Sequence, residues 1–303
     1  MEKTKYIYIL SQRYSGSTLL SFLLATHPDV STIGERRKFY NKSLVPDQGP
    51  AQNCSCGKRF VDCEHWNAIK ERFLKRVKPG DLRTNLTEFQ FSTNRYWNRL
   101  GKEAYQWSRR WGLPTAWHLY PSKLRRLREL NQILVEEMLD LEAKNVFVDS
   151  SKIIDQAWYL SEIEAFDFYV VWLVRDPRAQ VSSALKYNAW DVAEATRRWK
   201  REMEKNRQIL ERAGMRYHTL RYEALCREPR EEMVQLLNFV GMDTAKFSLN
   251  FRSTTQHIMG NRSMRRGTDT KIVERRDWLD RLSREQIETI EKLTVDYRQY
   301  YTI

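Results

Sequence analysis

The 303-residue sequence has no apolar run near the roughly 20 residues that a membrane-spanning helix needs. Its longest purely apolar stretches, such as 168–174, stop far short, so no membrane span is expected. The amino terminus, Glu2-Lys3-Thr4-Lys5 followed by a short strand-like run, lacks the longer apolar region and small-residue cleavage site of a signal peptide, which predicts a cytoplasmic protein. Internal repeats and low-complexity tracts are also missing, and a single domain over 1–303 with insertions is the simplest organisation. Cysteine is scarce: three of the four crowd into Cys54-Ser-Cys56-Gly-Lys-Arg-Phe-Val-Asp-Cys63-Glu-His65, and Cys226 lies far away. Those thiols and His65 offer ligands for tetrahedral zinc, but the Cys-x-Cys and Cys-x-His spacings are shorter than zinc sites usually use. The spacing favours a plain thiol turn or a local disulfide, the latter unusual in a cytosolic protein.

Acidic residues fall short of basic ones, 39 against 52, and the net charge of +13 calls for an anionic partner. Nucleic acid, a membrane surface or a polyanionic small molecule would each satisfy it. The basic clusters 123–128 and 197–201 sit in helix-like segments and read as solvated faces.

Strand and helix signals alternate along the chain, which argues for a parallel sheet with helices on its faces. Strands are expected at 5–10, within "VSTIGE" at 30–35, and at 145–149, 168–174 and 216–220; helices at 17–26, 123–143, 191–213 and 283–301. Between about 40 and 120 the alternation breaks. Aromatic residues from Trp66 to Tyr120 crowd that segment, and the region 36–120 reads as a helical, aromatic-rich insertion. Its rings suit a small helical core slightly better than a ligand pocket.

The first strand turns into its helix through Ser15-Gly16-Ser17-Thr18. Such a turn aims backbone N–H groups and the positive end of the helix dipole at one point, with three hydroxyls in addition, and so favours an anion. The pattern Gly-x4-Gly-Lys-Ser/Thr of a triphosphate loop is absent, because Ser17 stands where the lysine belongs. The loop is therefore sized for one phosphate group. A second constellation, "VVWLVRDPRAQVSSALKY" at 170–187, ends a buried strand at Val174 and sets Arg175 at its carboxyl edge, where open α/β sheets bind ligands. The alternative for Arg175 or Arg178 is a surface ion pair with Asp176.

Together these motifs resemble the nucleotide-binding elements of the sulfotransferases that use 3′-phosphoadenosine 5′-phosphosulfate (PAPS). That family has a 5′-phosphosulfate loop after the first strand, and a 3′-phosphate motif of an arginine with a serine eight residues on, as in Arg175 and Ser183. "HPDVSTIGE" (27–35), "CSCGKRFVDCEHW" (54–66), "VDSSK" (148–152), "LRYEAL" (220–225) and "HIMGNRSMR" (257–265) resemble, in order, segments of a bacterial-type branch of these enzymes. The likeness spans almost the whole chain and is weakest at 67–145.

The resemblance implies a P-loop-like parallel sheet that transfers a sulfuryl group in line to a hydroxyl or amine of a small-molecule acceptor, with no required metal. By it Ser15, Gly16, Ser17 and Thr18 would hold the 5′-phosphosulfate, Arg175 and Ser183 the 3′-phosphate, and Tyr222 would lie near the adenosine. Asn261, Arg262, Arg265 and Arg266 would belong to a late segment closing over the nucleotide. Relatives carry a lysine or arginine immediately before the Ser-Gly; here that residue is Tyr14, and the arginine is Arg13. Either the backbone bulges so that Arg13 reaches the phosphosulfate, or Tyr14 donates a hydrogen bond while Lys152 or a later arginine supplies the charge. For the general base the resemblance points to Glu35, followed by Arg36 where protein-tyrosine sulfotransferases have a second glutamate. His118 is an outside candidate; His27 reads as packing and His257 as part of the nucleotide loop. The aromatic insertion suggests an acceptor that is flat-faced or cationic. A small-molecule kinase is disfavoured by the missing lysine and magnesium pair, and a nucleic-acid-binding protein by the lack of one continuous basic stripe.

Overall fold

The computed structural model describes residues 3–45, 53–253, 255–261, 264–265, 267 and 270–301. Arg262 and Arg266 lie outside the described residues. Among the described residues five strands form one sheet: β1 (Thr4–Ser11), β2 (Val30–Gly34), β3 (Val146–Lys152), β4 (Phe166–Val174) and β5 (Tyr217–Arg221). Their order is β2-β3-β1-β4-β5 and every pairing is parallel. Parallel neighbours need crossovers, supplied here by α1 (Ser17–Leu24), α2 (Glu64–Arg76), α3 (Arg95–Arg110), α4 (Pro121–Glu142), α5 (Ile154–Ser161), α6 (Pro177–Tyr187) and α7 (Val192–Arg212). The chain finishes with α8 (Tyr222–Arg227), α9 (Pro229–Phe239) and α10 (Arg284–Leu293).

Alternation along the central strand divides the core. Tyr6, Tyr8 and Leu10 face one side with Phe147, Phe168 and Trp172, under α2, α4, α5 and α7. Ile7 and Ile9 face the other with Val148, Val171 and Leu173, under α1, α8 and α9. A strand buried on both faces reads as a continuous apolar run, which is how 5–10 and 166–174 present themselves.

The insertion divides its aromatics between the core and the surface. Trp66, Phe89, Phe91 and Tyr105 are buried in the core, while Tyr96, Trp97, Trp107, Trp111 and Trp117 are exposed. The basic clusters are paired, Arg126 with Asp81 and Arg198 with Glu194, as expected of solvated faces. Among the described residues no helix is long and apolar enough to cross a membrane.

Two irregularities shape the carboxyl edge of the sheet. The β1–β3 register shifts between Tyr8 and Leu10, so β3 bulges over Asp149–Lys152, where the sequence pattern ended the strand at 149. Gly34 closes β2 at φ 78° and bridges to Met259; a Cβ built there would stand 1.9 Å from the Met259 carbonyl oxygen. Gly112, at φ 65°, has open space around it. Gly34→Ala is therefore expected to destabilise the fold by more than the roughly 1–2 kcal/mol of a left-handed alanine, and Gly112→Ala by about that amount alone. Midpoints of urea denaturation for the two variants check this.

Candidate functional site

The carboxyl ends of the five strands lie along one edge, and Ser15–Thr18, Glu35, Lys152, Arg175 and Tyr222 stand at or just beyond them. The loop after β1 turns sharply: Tyr14 has φ 66° and Gly16 φ 88°. A Cβ on Gly16 would meet the Tyr222 ring at 2.4 Å, so only glycine lets the loop lie against that ring. The Leu20 amide bonds to the Gly16 carbonyl at 3.2 Å, leaving the amides of Ser17, Thr18 and Leu19 at the positive end of α1.

Three side chains that sequence reasoning missed fix this loop. Gln180 Nε2 donates to Ser15 Oγ (2.6 Å) and to the Arg13 carbonyl (3.0 Å), while its Oε1 accepts from Trp199 Nε1 (2.5 Å). Gln12 Nε2 donates to the Trp199 carbonyl at 2.9 Å. All three are buried. The one sequence signal for Gln180 is its place one turn before Ser183, on the same face of α6.

Arg175, just past β4, reaches back over the loop. Its Nη1 donates to the Tyr14 carbonyl (2.7 Å), Nη2 to the Arg275 carbonyl (3.0 Å), and its guanidinium lies 4.3 Å from the centre of the Tyr222 ring. Among the described residues no carboxylate sits within ion-pair distance of it. Arg178 takes the ion-pair role instead, with Asp176 at 2.6 Å and Glu291 at 2.8 Å. Ser183, two turns along α6, is half-buried and donates to the Ala179 carbonyl (2.9 Å). Tyr222 opens α8 and its hydroxyl points to the Val273 carbonyl at 3.4 Å.

Arg13 is exposed, beside the Tyr14 hydroxyl. The Tyr14 ring stacks on Tyr187, centroids 5.5 Å apart at 15°. The φ of 66° at Tyr14 takes the backbone out of the extended form there.

At the other end of the edge Glu35, just past β2, is buried and ringed by cations: Lys152 at 2.9 Å, Lys38 at 3.0 Å and Arg37 at 3.3 Å. Burial by itself would raise the carboxyl pKa, but Lys152, Lys38 and Arg37 outweigh it and hold it down to about 2. Lys152 ends β3 at φ 74°, and its pKa is lowered by burial against the pull of Glu35. Arg36 turns the other way. It is fully buried and meets Asp149 Oδ2 at 2.9 Å, with Tyr6 OH on the same oxygen (2.9 Å) and the Ser151 amide on Oδ1 (2.8 Å). Asn131 and Gln156 accept from its remaining donors.

The segment 256–261 ties the two ends together. Met259 N–H donates to the Ile33 carbonyl (2.7 Å), and the Asn261 amide to Thr18 Oγ1 (3.0 Å). Arg265 Nε donates to the Gly260 carbonyl at 3.1 Å, and its guanidinium stands 5.9 Å from the Phe60 ring centre.

With this geometry the sequence comparison is decisive: the pattern described as "Sulfotransferase family" matches residues 7–246. The chain belongs to the sulfotransferase family. No curated protein matches the chain significantly. Its fold is similar to the sulfotransferase domain of the olefin synthase of Synechococcus PCC 7002, with TM-score 0.52 and 19% identity, covering 97% of this chain and 96% of that one. Sulfotransferase STF9 from Mycobacterium avium aligns with TM-score 0.49 and 15% identity, over 100% of this chain and 78% of that one.

In this sulfotransferase the remaining histidine candidates are occupied elsewhere. His118 Nε2 lies 2.7 Å from the Gly101 carbonyl and its Nδ1 accepts from the Tyr120 amide (3.2 Å). His27 packs at the end of α1 against the Asp243 carbonyl, as expected. His257 belongs to the segment 256–261, with its Nδ1 3.3 Å from Cys63 Sγ. A cleft of about 930 Å³ between α3 and α7 includes Trp107 and Trp158 in its wall but none of the candidate residues.

Because Arg36 and Asp149 are buried together, removing one partner strands the other's charge. Asp149→Asn is expected to cost about 3–5 kcal/mol. The double substitution Arg36→Met/Asp149→Leu should cost clearly less than the sum of its two single substitutions, as read by a double-mutant cycle in urea.

Proposed function

We propose that this sulfotransferase takes its sulfuryl group from PAPS and passes it to a hydroxyl or amine of a small-molecule acceptor. One observation carries the reading: two groups suited to an anion follow the adjacent strands β1 and β4. The first is a helix-terminal loop without the triphosphate lysine, and the second is Arg175, whose hydrogen-bond partners are neutral carbonyls. A nucleotide with distinct 5′ and 3′ anions suits a loop without the triphosphate lysine beside an arginine without a carboxylate partner better than a triphosphate does.

The nucleotide supplies an activated sulfuryl group, and the chain supplies placement and charge. Ser15, Gly16, Ser17 and Thr18 hold the 5′ end through amides and hydroxyls, and Arg175 with Ser183 holds the 3′-phosphate. Tyr222 offers its ring to the base, while Asn261 and Arg265, with Arg262 and Arg266, belong to the covering segment. Arg13 stands at the outer rim as a second positive charge for the phosphate that leaves. Glu35 accepts the acceptor's proton as the new S–O or S–N bond forms, and the old S–O bond breaks with its electron pair going to the nucleotide phosphate. Lys152 holds the carboxylate in place at 2.9 Å.

Adenosine 3′,5′-bisphosphate at a hundredfold excess over its Kd should raise the Tm by about 5 °C, with ATP giving little shift. No shift with the bisphosphate overturns the reading. Arg175→Ala should weaken bisphosphate binding by about 10–100-fold, whereas Arg178→Ala should leave it nearly unchanged.

Glu35→Gln should lower kcat by about 10²–10⁴ while the bisphosphate Kd is kept. A carboxyl held at about 2 is ionised throughout the neutral range, so Glu35 contributes an acid limb to the kcat profile only at strongly acid pH. Lys152→Met removes the nearest cation, which raises that pKa and moves the acid limb to higher pH. An unmoved limb would assign the proton to another group.

A further inference from the structure

We propose that Cys54, Cys56, Cys63 and His257 form a closed, structural zinc site that fastens the insertion to the carboxyl-terminal segment beside the transfer site. This site is independent of which nucleotide the loop holds. The four ligand atoms lie within 4.8 Å of one another. Cys56 Sγ is 3.7 Å from Cys63 Sγ, and His257 Nδ1 is 3.3 Å from Cys63 Sγ and 3.8 Å from Cys54 Sγ. Tetrahedral zinc with Zn–S near 2.3 Å and Zn–N near 2.05 Å requires S···S of about 3.8 Å and S···N of about 3.6 Å. The sulfurs are thus spaced for a shared ion and lie well beyond the roughly 2.05 Å of a bonded pair. All four cysteines are free thiols, so of the two alternatives left by the spacing, a plain thiol turn and a local disulfide, the disulfide is not formed.

The surroundings have the form of a metal-binding turn. The chain reverses at Gly57 (φ 92°), the Cys54 amide donates to the Lys58 carbonyl (2.9 Å), and the Gly57 amide to the Cys54 carbonyl (3.0 Å). Amides of Cys56 and Trp66 face the sulfurs of Cys54 and Cys63, and Cys63 stands at the N-terminus of α2. Ser55 Oγ accepts from the Ile258 amide (2.8 Å), and Trp66 Nε1 donates to the His257 carbonyl (3.1 Å). These bonds bracket the imidazole between two fixed backbone positions. Sequence proximity suggested His65 as the fourth ligand; instead it stacks on His257, ring centroids 4.3 Å apart, and pairs with Glu142 at 3.2 Å. Three thiolates and one imidazole of protein origin leave no open position, the signature of a structural rather than catalytic site. Soft sulfur donors in this arrangement select zinc.

The position explains what such an ion would do. His257 is two residues from Met259, which bonds to β2 beside Glu35, and four from Asn261, whose amide meets Thr18. Zinc would anchor the segment that joins the candidate base to the anion loop, and it touches neither.

Metal analysis of the untagged full chain, purified without chelator, tests this. The expected result is about one zinc per chain, lost on Cys63→Ser or His257→Ala and kept on Cys226→Ser or His65→Ala. Should those variants fail to fold, cobalt-loaded wild type should show the visible bands of tetrahedral, sulfur-ligated cobalt. His257→Cys should keep the metal and strengthen the sulfur charge-transfer band. Zinc-free protein from zinc-supplemented growth, a Cys54–Cys63 or Cys56–Cys63 disulfide in its peptide map, or zinc equally retained by His257→Ala overturns the proposal.

Discussion

A guanidinium and a carboxylate with no access to water meet where β2 and β3 end, and the carboxyl edge of the sheet is built around them. Two charges in a low-dielectric interior demand full satisfaction, because each bond left unmade costs more there than at the surface. Asp149 meets that demand with Arg36, Tyr6 and the Ser151 amide, and Arg36 adds Asn131 and Gln156. For the Ser151 amide to fold back onto Asp149 the strand must bulge, and the bulge delivers Lys152 in a left-handed conformation. With Arg36 committed inward, Glu35 lies against Lys152. The ionic pair that lines the edge thus depends on the one beneath it.

Charge is distributed along that edge by a simple contrast. At the β2–β3 end three cations surround one carboxylate, which stays ionised and is oriented from several sides. At the β4–β5 end Arg178 is neutralised by two carboxylates, whereas Arg175 is held by carbonyl dipoles and a ring face. Dipoles position a cation without cancelling it. Neighbouring arginines in "RDPR" thereby stand in opposite surroundings, one charge-paired and one held by neutral groups.

The sequence pattern foretold the parallel sheet because strands buried on both faces appear as plain apolar runs; β1 and β4 were legible within two residues. The sequence pattern ends β3 early because Ser150, Ser151 and Lys152 look like loop, and only the bulge explains why those serines are buried. α8 escaped notice because it begins at Tyr222 with no linker after β5. Arg175, Tyr222 and the anion loop were visible as local motifs. Gln12, Gln180 and Trp199 were not, since their bonds cross between elements distant in the chain. The same limit hid His257, which lies 194 positions from Cys63 while His65 lies two away. Ligand spacing in sequence reports proximity only when one turn carries all the ligands.

The bond from Arg175 to the Tyr14 carbonyl has a thermodynamic corollary. Tyr14 is a non-glycine residue in left-handed backbone, a conformation that needs outside support, and Arg175 provides it. Any anion that draws the guanidinium away removes that support, so occupancy beside β4 and the shape of the loop after β1 share one free energy. Linkage makes the exchange reciprocal: whatever reshapes the loop would alter the hold of Arg175 on an anion by the same factor. The chain just past β4 and the loop after β1 thus meet through a single peptide carbonyl.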